Sequence, residues 1–225
     1  MLVLLVDTAT AAVTVGVVEV TAPSAIAVRA LRVVVDARRH GETLAPSITA
    51  ALSDAGASVG ELAAIVAGVG PGPFTGLRVG LVTAASLSDA LGIPAYPVCS
   101  LDGLASPGRP LLVATDARRR EVYWATYDAT GTRVHGPDVA KPADLRARLD
   151  AGELGEPTVA VGSGAALYAE QLGLPVAEPR YPTVEGLAVR AAERILERAP
   201  AEPLTPLYLR RPDAVEPGTA KSVLR

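Results

Sequence analysis

Residues 62–80 read LAAIVAGVGPGPFTGLRVG. The opening run, Leu62 to Val69, is continuously apolar and of strand length, and the densest turn signal in the chain, GVGPGPFTG, overlaps its end. Beyond the turn, Leu77, Leu81, Ala84, Ser88 and Leu91 recur at helical spacing until Gly92 and Pro94 stop the pattern. Strand, glycine-rich loop and helix in this order predict an α/β unit.

Upstream, Leu2 to Val6 is an apolar run closed by Asp7, and Ala12 to Val20 and Ile26 to Val35 are rich in β-branched residues, so three opening strands are expected. Leu44, Ile48, Ala51, Leu52 and Ala55 then mark a helix with Pro46 in its first turn and Gly56 at its end. Downstream, the theme returns less regularly. Leu111 to Thr115, Glu121 to Tyr127 and Thr158 to Val161 read as strands; Ala143 to Leu149, Ala165 to Leu172 and Val184 to Arg198 read as helices. Leu111 to Asp116 repeats the form of Leu2 to Asp7, an apolar run closed by aspartate, which points to an internal duplication.

Composition narrows the classes. With 49% apolar and 20% charged residues among 225, the chain can bury one large core or two smaller ones. Gly and Pro make up about 18%, below the roughly 25–30% of a disordered chain. One cysteine, Cys99, closes no disulfide within the chain, and two histidines beside it build no zinc finger. Asp7 arrives too early for a signal peptide, and no apolar run approaches a membrane span, so a soluble cytoplasmic protein is expected. A net charge of −3 and 4% aromatics give no electrostatic footprint for nucleic acid.

The glycine-rich loop could cradle phosphates, but Leu77 and Arg78 follow Gly76 where a Walker A loop needs lysine and a hydroxyl, and no dinucleotide fingerprint is complete. A rigid turn is the stronger reading of the loop alone. Asp7 with Thr8 and Thr10, and Asp116 further on, are acids at strand ends, able either to position magnesium or simply to accept turn amides. His40 and His135 read as surface or capping residues, and Ser163 between two glycines lacks the full nucleophile-elbow pattern. Arg118, Arg119 and Arg120 form the one marked basic cluster, with Arg210 and Arg211 later; a solvated face is the first reading, contact with RNA or an acidic partner the second. Gly76, Gly80 and Ala84 leave one helix face with little bulk, open either to another helix or to the lobe's own sheet.

Taken together, LVDTAT, HGETLAPSI, GVGPGPFTGLRVG, GIPAYPVCSLDGLA, TDARRREVYWATY and PLYLRRP resemble the TsaB (YeaZ) family, in the family's order and over nearly the whole chain. The resemblance implies a two-lobed actin-like ATPase fold of the ribonuclease H-like class, each lobe a mixed sheet flanked by helices. It implies an N-terminal lobe over 1–102 and a C-terminal lobe over 103–212, with a helix at about 183–198 packing back on the first lobe; the rise in Pro and charge after Ala199 separately predicts a mobile tail at 213–225. It implies a non-catalytic subunit that activates the catalytic subunit TsaD, alongside TsaE, in forming N6-threonylcarbamoyladenosine at position 37 of tRNAs reading ANN codons. No cofactor and no metal are expected for this chain, and Asp7, Thr8, Thr10 and Asp116 would mark a vestigial nucleotide cleft. Setting the catalytic cousin's H-x-x-x-H pair against Val98 to Ala105 puts Ser100 and Leu104 at the histidine positions, and neither replaces an imidazole. Pro73 stands where many members carry serine. The helices at 42–55 and 76–91 would form the partner surface through Leu44, Ile48, Leu52, Gly76, Gly80 and Ala84, joining TsaD or, in its absence, a second copy. tRNA would be met indirectly, through the complex.

Overall fold

Apolar runs that alternate with short turns leave strands no partner but each other, and in the computed structural model, which describes residues 1–210, they assemble into two mixed sheets. The first contains β1 (Leu2–Asp7), β2 (Ala12–Ala22), β3 (Ala25–Val35), β4 (Ala64–Gly68) and β5 (Ala95–Val98), in the order β3-β2-β1-β4-β5. β1 pairs antiparallel with β2 and parallel with β4, so it is buried on both faces, as its unbroken run of apolar residues requires. α1 (His40–Asp54) and α2 (Phe74–Leu91) cover one face, where Leu44, Ile48, Leu77 and Leu81 meet Leu4, Val6, Val13 and Val15. Each such side chain, fully buried, contributes roughly 1.5–3 kcal/mol.

The second sheet repeats the first. β6 (Leu111–Asp116), β7 (Val122–Tyr127), β8 (Arg133–Ala140), β9 (Val159–Val161) and β10 (Val176–Ala177) lie in the order β10-β9-β6-β7-β8. Read from the other end, this is the first sheet's order, with β6 antiparallel to β7 and parallel to β9. α3 (Pro142–Asp150), α4 (Ser163–Leu167) and α5 (Ala169–Leu172) bury Leu145, Leu149, Ala165 and Leu172 against its outer face. Its inner face packs on the connector after β5, through Cys99, Leu101, Leu104 and Ala105.

α6 (Val184–Leu196) follows the second sheet in sequence but lies on the first. Val184, Leu187, Ala188, Ala191 and Ile195 seal the face of β1, β2, β4 and β5 opposite α1 and α2. Gly16 on β2 is required there, because a Cβ would overlap Val184. Residues 199–210 then return as a strap: Leu207 donates its N–H to the Val69 carbonyl at 2.8 Å, and Tyr208 stacks on Phe74 at 5.1 Å. The tail expected at 213–225, with Arg211, lies outside the described residues.

Four elements differ from the sequence expectation, the first being β10, whose two residues are too short to carry a periodic signal. β5 contains Pro97, and β8 contains Gly136 and Pro137, with no apolar alternation, so neither carries a strand signature. The helix expected at Ala165 to Leu172 breaks at Tyr168, whose φ of −119° and ψ of 30° leave the helical region.

Candidate functional site

The two sheets turn equivalent ends toward each other. At the end of β1, Asp7 Oδ1 accepts the Ala9 N–H at 3.0 Å; at the end of β6, Asp116 Oδ1 accepts the Arg118 N–H at 2.8 Å. Each aspartate thus holds its own strand turn by the same two-residue hydrogen bond. Their surroundings then diverge. Asp7 is fully buried, its second oxygen enclosed by the Gly68 backbone and the Ser100 side chain. Burial pushes its carboxyl pKa up, and Ser100, the Ala9 amide and His40 offset only part of that. Asp116 is half-buried and faces Arg118, with the guanidinium 3.7 Å from Oδ2.

Between the turns lies a cavity of about 380 Å³ lined by Thr10, His40, the first residues of α2, Asp116, Arg118, Ser163 and Tyr181. Of the four expected cleft residues it contains Thr10 and Asp116, while Asp7 and Thr8 lie behind it. Thr8 serves the frame instead: Oγ1 donates to the Gly76 carbonyl at 2.8 Å and accepts the Gly80 N–H at 3.0 Å, clamping α2 to β1.

His40 is not at the surface. It is 6% exposed, and its Nε2 donates to the Thr10 carbonyl at 2.8 Å. A histidine at the head of a helix gave no sequence signal of this, because its partner is a backbone oxygen thirty residues away. Ser163 reaches the Asp116 N–H only weakly, at 3.4 Å.

Arg118, Arg119 and Arg120 close the β6–β7 turn in the left-handed region, with φ of 63°, 51° and 60°. Three successive non-glycine residues in this region cost roughly 1–2 kcal/mol each. The strap helps hold them: Arg210 donates to the Ala117 carbonyl at 2.9 Å and pairs with Glu121. Arg118 lines the cavity.

The small face of α2 turns inward, which corrects the expected partner surface. Gly80 and Ala84 are buried, a Cβ at Gly80 would overlap Thr8 Oγ1, and Gly76 faces the Thr8 carbonyl and His40. On α1, Leu44 and Ile48 are core residues and Leu52 is half-buried against the same core. Four-residue spacing defines a stripe; Thr8, just past β1, and His40 of α1 lie against its two glycines. Ala45 and Thr49 on α1 and Arg78, Val82 and Ala85 on α2 are exposed, Val82 at 63%, and the three α2 residues border the strap, where Arg78 donates to the Tyr208 hydroxyl at 3.0 Å.

Ser100 and Leu104 are both buried, Ser100 Oγ accepting the Gly70 N–H at 3.1 Å. Among the described residues no group of three His, Cys, Asp or Glu side chains could hold a metal ion, and no helix is long and apolar enough to cross a membrane.

Comparison with known proteins places this architecture. A family model described as "TsaD: tRNA N6-adenosine threonylcarbamoyltransferase" matches residues 34–209. An uncharacterized protein of Mycobacterium tuberculosis is 49% identical over 217 residues, covering 94% of this chain and 93% of that protein. A Mycobacterium leprae relative is 48% identical over 95% of this chain, which spans only 56% of the relative's length. The Escherichia coli tRNA threonylcarbamoyladenosine biosynthesis protein TsaB is 32% identical over 137 residues, 56% of this chain and 58% of its own. Among solved structures, YeaZ from Pseudomonas aeruginosa superposes with a TM-score of 0.71 at 24% identity, over 92% of this chain and 99% of that one. The activator of 2-hydroxyisocaproyl-CoA dehydratase from Clostridium difficile, with bound ADPNP, shares the two-lobed actin-like ATPase fold at a TM-score of 0.52 and 9% identity, over 88% of this chain and 96% of that one. The chain therefore belongs to the TsaB/YeaZ family, within the wider family whose model carries the TsaD description.

Proposed function

We propose that the chain is a non-catalytic subunit of the machinery that forms N6-threonylcarbamoyladenosine at position 37 of tRNAs reading ANN codons, acting by binding and activating a TsaD-type catalytic subunit in the cytoplasm. The relatives' names supply the pathway. The observation that carries the non-catalytic role is the placement of Asp7: a two-lobed phosphotransferase of this build needs a carboxylate from each lobe at the cleft, and the first lobe's aspartate is sealed beneath Gly68 and Ser100. Asp116 alone faces the cavity, already beside Arg118. The same sealing weighs against an ATP-dependent phosphotransferase. Ser100 and Leu104, aligned with the cousin's histidines, are occupied in backbone support and core packing.

The partner surface in this reading is the outer ridge of α1 and α2, around Ala45, Thr49 and Val82, which a TsaD-type subunit covers in the complex and a second copy covers without it. TsaE joins the assembly, and tRNA meets the chain through it.

Reconstitution of tRNA modification from purified components tests the proposal. Omitting this chain abolishes modification, whereas an Asp7→Asn, Asp116→Asn double variant supports it. Transfer of a threonylcarbamoyl group to tRNA by the chain alone would overturn the non-catalytic role.

A further inference from the structure

Each sheet of this fold has two edges, and an edge strand offers a row of unpaired N–H and C=O groups to any second strand. Three of the four edges are protected. The strap covers β5, where the Glu202 N–H reaches the Ala95 carbonyl at 3.1 Å; β10 is two residues long; and β8 contains Gly136 and Pro137 and pairs irregularly with β7. β3, the counterpart of β8 in the duplication, has none of these devices. It is 11 residues long with neither glycine nor proline, and from Ala30 to Val35 it pairs with β2 without a register shift. Its two charges, Arg29 and Arg32, are drawn onto Glu19 and Asp54 of the same chain.

The side chains repeat the anomaly. Val28, Leu31, Val33, Val34 and Val35 are 37% to 56% exposed, and no other described element exposes more than two large apolar residues. Leu31, Val33 and Val35 lie opposite Gly16, Thr14 and Ala12, on the face that α6 seals at Gly16. Arg32 and Val34 lie opposite Val15 and Val13, on the face that α1 and α2 cover.

We propose that β3 pairs antiparallel with β3 of a second copy about a two-fold axis, joining the two five-stranded sheets into one. In an antiparallel ladder opposite residues point their backbone groups the same way, so a symmetric pairing centres on a residue. Charge selects which residue. Centring on Arg32 sets two guanidinium groups against each other, and centring on Val33 leaves each Arg32 opposite a valine. Centring on Val34 sets Arg32 of each copy opposite Asp36 of the other, in two symmetric ion pairs, with Val33 opposite Val35 on the α6 face. Asp36 directly follows the strand and is half-buried. The occupant is a copy of this chain because the strand carries both halves of its own charge pattern. This surface is separate from the ridge around Val82, so a chain that uses both grows beyond a dimer.

Sedimentation of the Val82→Glu chain, in which the ridge is disabled, tests the pairing. A concentration-dependent dimer is expected. In that background Arg32→Glu and Asp36→Arg should each weaken it at least tenfold, because each sets like charges opposite one another twice. An equimolar mixture of the two single variants should dimerise as the parent does, since both cross-pairs are again opposite in sign; recovery in the mixture also shows that neither variant has lost its fold. Val34→Cys should form an intermolecular disulfide under oxidised glutathione, its Cα lying about 4.5–5.5 Å from its counterpart. Leu31→Cys, roughly 20 Å from its own counterpart in this register, should not. A monomer at every concentration, indifference to either charge reversal, a mixture no better than the single variants, or cross-linking at Leu31 as fast as at Val34 would each overturn the proposal. So would a Val33→Lys variant that keeps its mass but no longer captures a TsaD-type subunit, which would assign the edge to that partner. Because no tRNA or catalytic subunit enters the self-association measurements, their failure leaves the activator role untouched.

Discussion

Thr8 and Gly80 are locked together: the threonine Oγ1 accepts the glycine N–H at 3.0 Å while donating to Gly76 one turn earlier. In an open helix, Gly→Ala would stabilise by up to about 1 kcal/mol. At Gly80 the sign reverses, because a Cβ would overlap Oγ1 and force Thr8 to rotate out of two hydrogen bonds. Gly80→Ala is expected to cost about 1–3 kcal/mol in urea unfolding, and less in a Thr8→Ala background, where the obstructing atom is gone. An unchanged midpoint in the wild-type background would contradict the clamp.

Asp7 makes stability depend on pH. Its folded pKa is raised by burial above the ordinary 3.8, so folding favours the protonated form. The contribution is fully present below the unfolded pKa and is lost as pH rises through the folded one. Asp7→Asn keeps an oxygen for the Ala9 amide and cannot ionise. Its unfolding free energy relative to the parent should therefore increase as pH rises from about 4. Denaturant midpoints measured across pH 4 to 8 check this; a constant offset at every pH would show that the buried carboxyl does not titrate as described.

These two residues also show where sequence legibility ends. The strands β1, β2 and β4 and helices α1 and α2 could be read because their apolar patterns match their burial, whereas β3 was legible from its β-branched run alone, most of which is exposed at the sheet edge. The duplication could be read from two apolar runs closed by aspartate, and the sheets carry it as matching pairings around β1 and β6. Which neighbour fills a groove is a different kind of information. Gly76, Gly80 and Ala84 announce that something comes close, but Thr8 sits 72 residues before Gly80, and nothing local names it. Likewise Thr10 and Asp116 reach the cavity while Asp7 does not, a distinction set by Gly68 and Ser100 and invisible in the spacing of the acids.

Cys99 is expected to be chemically silent in the folded chain. It is 8% exposed, and burial, aided by the nearby Asp102 charge, pushes its thiol pKa up to about 11. The thiolate is the reactive species, so alkylation at pH 8 should proceed only as fast as the protein opens. Mass spectrometry after iodoacetamide treatment, with and without denaturant, measures this. Rapid native labelling would mean that the connector after β5 is more accessible than its packing on the second sheet implies.

Val82 offers the cleanest separation of association from folding. It stands at the crest of α2, 63% exposed, whereas Gly80 two residues earlier is buried against Thr8. A bulky residue at Gly80 would abolish assembly by disrupting the lobe, and so would say nothing about the surface. Val82→Glu changes only the outer ridge, and exposed substitutions of this kind usually move stability by no more than about 0.5 kcal/mol. If the ridge is the partner surface, a buried unpaired carboxylate there should lower both self-association and capture of a TsaD-type subunit at least tenfold. Light scattering and pull-down of the variant, alongside an unchanged urea midpoint, would support the assignment. Unaltered mass and unaltered capture would move the interface elsewhere, because no partner packed on this ridge could avoid the new charge.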